Sequence, residues 1–507
     1  MKFKVKHIVM MSIMVFSLLS CDDFLDEKPD SDITEDNYVD PDAGDNDTLK
    51  YTTATQAEQL ISGAYKRFES EFWQLDMYIM NESQSDNSYA GEEKEDPLQI
   101  DRLRIKPTNE TVKRDWGYVY THLSDINEII AWVPQIPDPA LTSTRKNEIV
   151  GEASFMRALC YFNLVRIFGS VPLIVQDIPE INLDNLDEVY PLIYPENASI
   201  EDIYVQIVKD LEYALANVPD YSAFKFKVTK AVVNLTLAQV YATKDGFENT
   251  DWGKVKGYVS AVVSDTRYGL LDNFDDLFAV SEPFNGTLPN VDLINEHSKE
   301  SLFEIDFNSW TTMGNWGSQM LVGTDWKKFN TPSHDLYDAF TNAGDVVRRD
   351  ASILFYDVTG AWTDFYWPSD NYPLCWKNRA QEKNNVILFR YAEALLLLAE
   401  AENELGNISE SQRLLNLVRN RARLGNTTAN TKEALRLAIE NENRFEFAFE
   451  GKRWFDLKRR GRFITVMSNT TDHQKQYGSA MAEYQLVWPI PQNELDLNEN
   501  LNQNPGY

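Results

Sequence analysis

Two short stretches combine flat ring faces with hydroxyl-binding groups: SWTTMGNWGSQM, holding Trp310, Asn315, Trp316 and Gln319, and GAWTDFYWPSDN, holding Trp362, Asp364, Tyr366, Trp367 and Asn371. An indole presents an apolar face, and Asn, Asp and Gln supply donors and acceptors on short stems. Together they suit a sugar ring, which has a face of axial C–H bonds and a rim of hydroxyls. Trp326 lies between the two stretches, and a third, FWQLDMYIMNESQSDNSYAG, offers Trp73, Tyr78, Asn81, Asp86 and Tyr89. The candidate binding residues are therefore Trp73, Tyr89, Trp310, Trp316, Trp326 and Trp362 as stacking platforms, with Asn81, Asp86 and Asn315 as hydroxyl partners. The competing assignment makes most of these rings packing groups where loops meet scaffold.

Catalytic chemistry finds less support. Past the first twenty residues the histidines are His122, His297, His334 and His473, each alone and none in HExxH. Cys160 and Cys375 form no CxxC pair, and Cys160 lies in a helical pattern that suits a buried thiol better than a disulfide. GxSxG and P-loop signatures are missing. Asp40, Asp42, Asp45 and Asp47 lack the ligand order of an EF-hand and read as a solvated loop. The expectation is a protein that is not an enzyme and uses no cofactor or metal.

The start of the chain has its own chemistry. Lys2, Lys4 and Lys6 precede an unbroken run of apolar residues and serines from Ile8 to Leu19, the layout of an export signal. As a helix that run rises about 18 Å, short of the roughly 30 Å hydrocarbon core. Ser20 before Cys21 matches the pattern at which lipoprotein precursors are cut and acylated. Residues 1–20 are therefore expected to leave, with Cys21 carrying the lipid anchor. The net charge of −31 then loses three lysines and falls to −34. Such a surface repels nucleic acid and favours a neutral partner, although Lys327–Lys328 or Arg348–Arg349 could form a local basic patch.

Positioning these residues is the work of helices. EIVGEASFMRALCYFNLVRIFG places Ile149, Ala153, Met156, Cys160, Asn163 or Leu164, and Ile167 on one stripe, with Gly169 as the stop. IYVQIVKDLEYALANVP repeats the pattern, KAVVNLTLAQVYAT and DWGKVKGYVSAVVSD follow as an antiparallel pair, and three more helices lie between Arg390 and Gly451. Small residues such as Ala392, Ala394, Ala399 and Ala401 permit close helix approach. Successive pairs of this size predict a mainly α fold, a tetratricopeptide-like helical solenoid whose period is broken by insertions. The divisions expected are a signal at 1–20, an acidic tether at 21–50, scaffold at 51–267, a variable excursion at 268–379 and scaffold again at 380–507. The excursion is loop-rich and holds six of the twelve tryptophans, which makes it the better place for a ligand face.

The motifs CDDFLDEKPDS, EASFMRALCYFNLVRIFGSVPL, ILFRYAEALLLLAEAENELG, RFEFAFEGKRWFDLKRRG and WPIPQNELDLNENLNQNPGY run from one end of the mature chain to the other. They resemble the SusD/RagB family of Bacteroidota, surface lipoproteins that capture nutrients. That resemblance implies a non-catalytic, glycan-binding lid over a SusC-like TonB-dependent transporter, taking a neutral poly- or oligosaccharide. It implies an outer-membrane, cell-surface location, with Asp22 and Asp23 beside the lipidated cysteine as the export address. Relatives that serve peptide uptake, or a purely structural partner of the barrel, are the alternatives. In the terminal motif, Arg444, Glu446, Glu450 and Arg453 have spacings suited to ion pairs, with Gly451 as a helix cap, and are expected to be structural.

Overall fold

The computed structural model describes residues 49–90, 95–182, 184–282, 284, 292–307, 314–322, 329–361, 363–380, 383–470 and 481–507. The expected signal segment, Cys21 and nearly all of the tether lie outside them. Helices dominate the described chain, and none among them is long and apolar enough to cross a membrane.

The first part of the scaffold runs through Ala54–Lys66 (α1), Glu110–Trp132 (α2), Ser143–Phe168 (α3), Ile200–Asn217 (α4), Lys230–Tyr241 (α5) and Trp252–Val263 (α6). Thr53, Asn109, Thr142, Ser199 and Asp251 cap α1, α2, α3, α4 and α6 by accepting from backbone N–H groups of the first turn. Such caps satisfy donors that a helix start leaves orphaned. Helix α3 packs on α2 and, most extensively, on α4; α4 meets α5, and α5 lies along α6.

The single stripe expected on α3 is corrected here. From Ile149 to Val165 every residue of this helix is buried, polar ones included. It is a central helix wrapped on all sides, so its polar side chains need partners. Arg157 finds Asp210 of α4 through two bonds of 2.8 and 2.7 Å.

Beyond α6 the chain leaves the helical stack. Ser88–Tyr89 (β1), Ser301–Ile305 (β2), Thr331–Pro332 (β3), Ile353–Tyr356 (β4), Tyr372–Cys375 (β5) and Val386–Arg390 (β6) pair antiparallel as β1–β3, β2–β6 and β4–β5. Trp316–Val322 (α7), His334–Ala343 (α8) and Val346–Ser352 (α9) lie among them. The stack then resumes with Tyr391–Glu404 (α10), Ile408–Arg421 (α11), Lys432–Glu446 (α12) and Arg453–Arg459 (α13). Helix α10 docks on α6, the helix that the chain left, as well as on α11 and α12.

Most buried apolar side chains form one core, while residues 268–379 contribute to three smaller clusters. An ion-pair network ties these parts together. Glu446 at the end of α12 takes Arg348 of α9 at 3.0 Å, Arg390 of β6 at 2.5 Å, and Arg421 of α11. Glu450 takes Arg390 at 2.8 Å and Lys377 at 2.7 Å, and Glu300 takes Arg390 and Arg421 at 3.0 Å each. All of these residues are buried except Glu450, which is half-buried. The structural role expected for Glu446 and Glu450 is what these contacts describe, but the pairs reach across the fold and not along one helix. Gly451 is not the cap: α12 ends at Glu446, with Phe447 in the cap position. Gly451 adopts φ 68° and gives its N–H to Glu82 at 2.9 Å.

Candidate functional site

The strands β4 and β5 pair from Ile353 with Cys375 to Tyr356 with Tyr372, and the loop between them carries aromatic side chains at its tip. Phe365 is 92% exposed and Tyr366 37%. The Phe365 ring is solvated apolar surface, meeting Tyr366 edge to face at 5.2 Å.

The base of the loop is rigid. Asp364 Oδ1 accepts the N–H groups of Tyr366 at 2.7 Å and Trp367 at 3.3 Å, an Asx turn that fixes the backbone under both rings. The same oxygen accepts from the Tyr89 hydroxyl at 2.9 Å. Trp367 folds inward, donates Nε1–H to the Pro332 carbonyl at 3.1 Å, and stacks on His334 with ring centroids 3.7 Å apart. Tyr337 and Phe355 close its edges. Tyr89 meets Tyr366 edge to face at 5.4 Å. Burial, with Asp364 beside it, pushes the Tyr89 hydroxyl well above its ordinary range, so it stays a neutral donor.

The sequence-based candidates divide sharply against this geometry. Tyr89 is buried and supports the loop from beneath, so it offers no stacking face. Trp73 is also buried, packed against Phe68 at 5.1 Å and Phe72 at 4.8 Å in the main core. Asn81 is spent internally: it donates to the Met77 carbonyl at 3.0 Å and accepts from Phe455 N–H at 3.3 Å. Asp86 faces Arg453 at 2.7 and 2.8 Å and Arg444 at 3.2 Å. Burial alone would raise the Asp86 carboxyl, but the Arg444 and Arg453 guanidiniums hold it far below the usual carboxylate range. Asn315 is buried and donates to Asn384 O at 2.7 Å while accepting from Ser318 N–H at 3.1 Å. Trp316 is half-buried against the main core. Trp310, Trp326 and Trp362 lie outside the described residues, as do Lys327 and Lys328.

Trp73, Asn81, Asp86, Tyr89 and Asn315 are thus internal, which corrects their assignment as ligand-facing groups. The reason is long-range: Asp86 is held by arginines from α12 and α13, far along the chain. Arg348 is likewise no part of a basic patch, being buried on Asp345, Glu442 and Glu446. Sequence reasoning named Tyr366 only in passing and missed Phe365. The signal for both was the Asp364-to-Pro368 turn chemistry beneath a run of three aromatic residues.

Among the described residues no three His, Cys, Asp or Glu side chains converge as metal ligands would. Cys160 and Cys375 are buried and unpaired. Burial raises both thiols, Cys375 to about 12.

Comparison with known proteins places this fold. A family model described as "SusD family" matches residues 358–507, and one described as "Starch-binding associating with outer membrane" matches residues 23–242. The chain is similar to SusD-like protein P2 of Formosa agariphila, 27% identical over 560 residues and covering all of both chains. It is also similar to the starch-binding protein SusD of Bacteroides thetaiotaomicron, 22% identical over 506 residues, covering 87% of this chain and 86% of the relative. A SusD superfamily structure from Parabacteroides distasonis superposes with a TM-score of 0.75 at 20% identity, covering 90% of this chain and all of the other. A laminarin-binding SusD-like protein gives 0.69 at 23%, with the same coverage.

Proposed function

We propose that the chain is a member of the SusD family and, within it, a non-catalytic glycan-binding lipoprotein of the cell surface. In this reading Cys21 carries the acyl anchor and Asp22 and Asp23 direct export to the outer face of the outer membrane. The protein captures a poly- or oligosaccharide and passes it to a SusC-like TonB-dependent transporter. The names of relatives that bind starch or laminarin support the ligand class.

The observation that carries the reading is the solvent-facing pair Phe365 and Tyr366 on a loop braced by Asp364, Tyr89 and Trp367. Rigid aromatic faces bind with little entropy loss, because the ring is already in place. Trp316, and Trp310, Trp326 and Trp362 of the neighbouring segments, remain proposed contributors to the same face.

Affinity electrophoresis of the chain from residue 22, through gels holding starch, laminarin and a panel of other neutral and acidic polysaccharides, tests the proposal. Retardation by one neutral polymer, reduced in Phe365→Ala/Tyr366→Ala, is expected. Retardation by none, with binding of short peptides instead, would replace glycan with peptide as cargo. Release of reducing ends by the purified protein would overturn the non-catalytic assignment.

A further inference from the structure

Where α3, α5, α10, α12 and α13 converge, packing leaves a cavity of about 120 Å³. That is close to the volume of about 150 Å³ that holds a benzene-sized guest in an engineered core. No residue of the 357–371 loop lines it, so it is separate from the aromatic surface above. Part of its wall comes from residues 72–83, where Phe72–Asp76 and Ile79–Ser83 form π-helical turns. Such turns are rare and widen the backbone, and they recur at functional sites. Here they carry Trp73, Met77 and Tyr78 to the cavity.

The charges around this space are unequal in a way that points to a ligand. Glu393 accepts from Gln239 Nε2 at 2.6 Å and lies 3.3 Å from Lys452 Nζ. Glu450 is held by Arg390 and Lys377, and Asp456 by Arg459 at 2.6 Å. Each acid at the wall therefore has a cation. Arg166 has no carboxylate within ion-pair distance among the described residues. Its Nε donates to Phe162 O at 2.9 Å and its Nη2 to Asn163 Oδ1 at 2.6 Å, with no acceptor for Nη1 among the described residues. The guanidinium sits between the rings of Phe162 and Phe455, 3.8 and 3.9 Å from their centroids. Lys458 lies behind Arg166 and does not line the cavity, its ammonium bonded to the Arg166 carbonyl oxygen and 4.2 Å from the Trp454 ring. Burial brings Arg166 down to about 9 against the pull of Glu393, and burial together with the Arg166 charge brings Lys458 to about 7.

We propose that this cavity is a binding site for a small monocarboxylate with a compact apolar body. The carboxylate pairs with Arg166 through Nη1, and the hydrocarbon or aromatic part lies against Trp73, Leu159 and Phe162. Guanidinium is the side chain best matched to a carboxylate, and Arg166 is half-buried with Nη1 open to an incoming acceptor. The apolar lining explains why the guest must be more than a bare anion, since filling it removes surface from water.

The probe is benzoate, with benzamide as its neutral isostere, titrated calorimetrically into the chain from residue 22. Saturable one-to-one binding of benzoate, about tenfold or more tighter than benzamide, is expected from a charge-assisted hydrogen bond. Arg166→Gln removes that preference while leaving weak benzamide binding. Ala242→Leu keeps every Arg166 contact but fills the space from the end of α5, and abolishes binding of both. Absence of heat with wild type at millimolar benzoate overturns the proposal. So does equal affinity for the two probes, or benzoate binding that survives Ala242→Leu unchanged.

Discussion

Replacing Asp86 with Asn keeps the shape of the side chain and removes its charge from between two guanidiniums. In the folded protein Asp86 accepts from Arg453 at 2.7 and 2.8 Å and lies 3.2 Å from Arg444, with Asp86 and Arg453 buried and Arg444 half-buried. Arg444 retains Asp335 as a second acid, but Arg453 keeps no direct carboxylate partner among the described residues. Breaking a buried pair from one side costs about 3–5 kcal/mol, because the remaining charge stays desolvated. With an unfolding entropy of about 2.1 cal/mol/K per residue and roughly 450 folded residues, that corresponds to a Tm lower by about 3–5 °C. The acid limb gives a second readout. The Asp86 carboxyl is far lower in the folded state than its ordinary value near 3.9, so its contribution is complete above about pH 4 and is lost as pH falls toward the folded value. Asp86→Asn should therefore flatten the decline of stability below about pH 4. Differential scanning calorimetry from pH 3 to 7, with glycan binding measured at 20 °C, checks both. A Tm within about 1 °C of wild type, combined with lost glycan binding, would refute the reasoning and return Asp86 to the ligand face.

Glu446→Gln removes a carboxylate shared by Arg348, Arg390 and Arg421. Urea unfolding should show a loss of no more than about 3–5 kcal/mol, since Arg348 keeps Asp345, Arg390 keeps Glu450 and Arg421 keeps Glu300. Phe365→Ala/Tyr366→Ala should weaken glycan affinity about tenfold, at about 0.5–1.5 kcal/mol per ring, with Tm unchanged; a lowered Tm would show that the rings pack internally. Gly317→Ala places a methyl group 2.6 Å from the Gln74 carbonyl oxygen, so α7 must move off the 72–76 turn. Thermal melts should report a loss of about 1–3 kcal/mol, as for overpacking generally. In the chain from residue 22, Cys160 and Cys375 should resist Ellman's reagent when folded and react in urea; rapid reaction of either in the native protein would contradict their burial.

The helical scaffold was legible because it rests on local information. Step-of-three-and-four periodicity, caps such as Thr142 and Ser199, and alanines on α10 are all read within a turn or two of chain. Family motifs did the rest, since they span both scaffold halves and match the fold of the SusD superfamily structures. The stripe on α3 was the exception: periodicity marks one buried face, but a central helix is covered on every face, and that depends on how many neighbours surround it.

The candidate site was legible only as a composition. The sequence by itself determined that aromatic and amide-rich segments exist, that α12 ends in a charged motif, and that the chain begins with an export-like stretch. Which of the polar residues meets water was decided by the tertiary structure. Asp86 and Asn81 read as hydroxyl partners until arginines and backbone groups from the far end of the chain arrive to consume them. Phe365 carries no mark of its own in the sequence, and it faces water beside the Asx turn that Asp364 closes. Burial is a property of pairs of surfaces, and Arg453 meets Asp86 across 367 positions of chain.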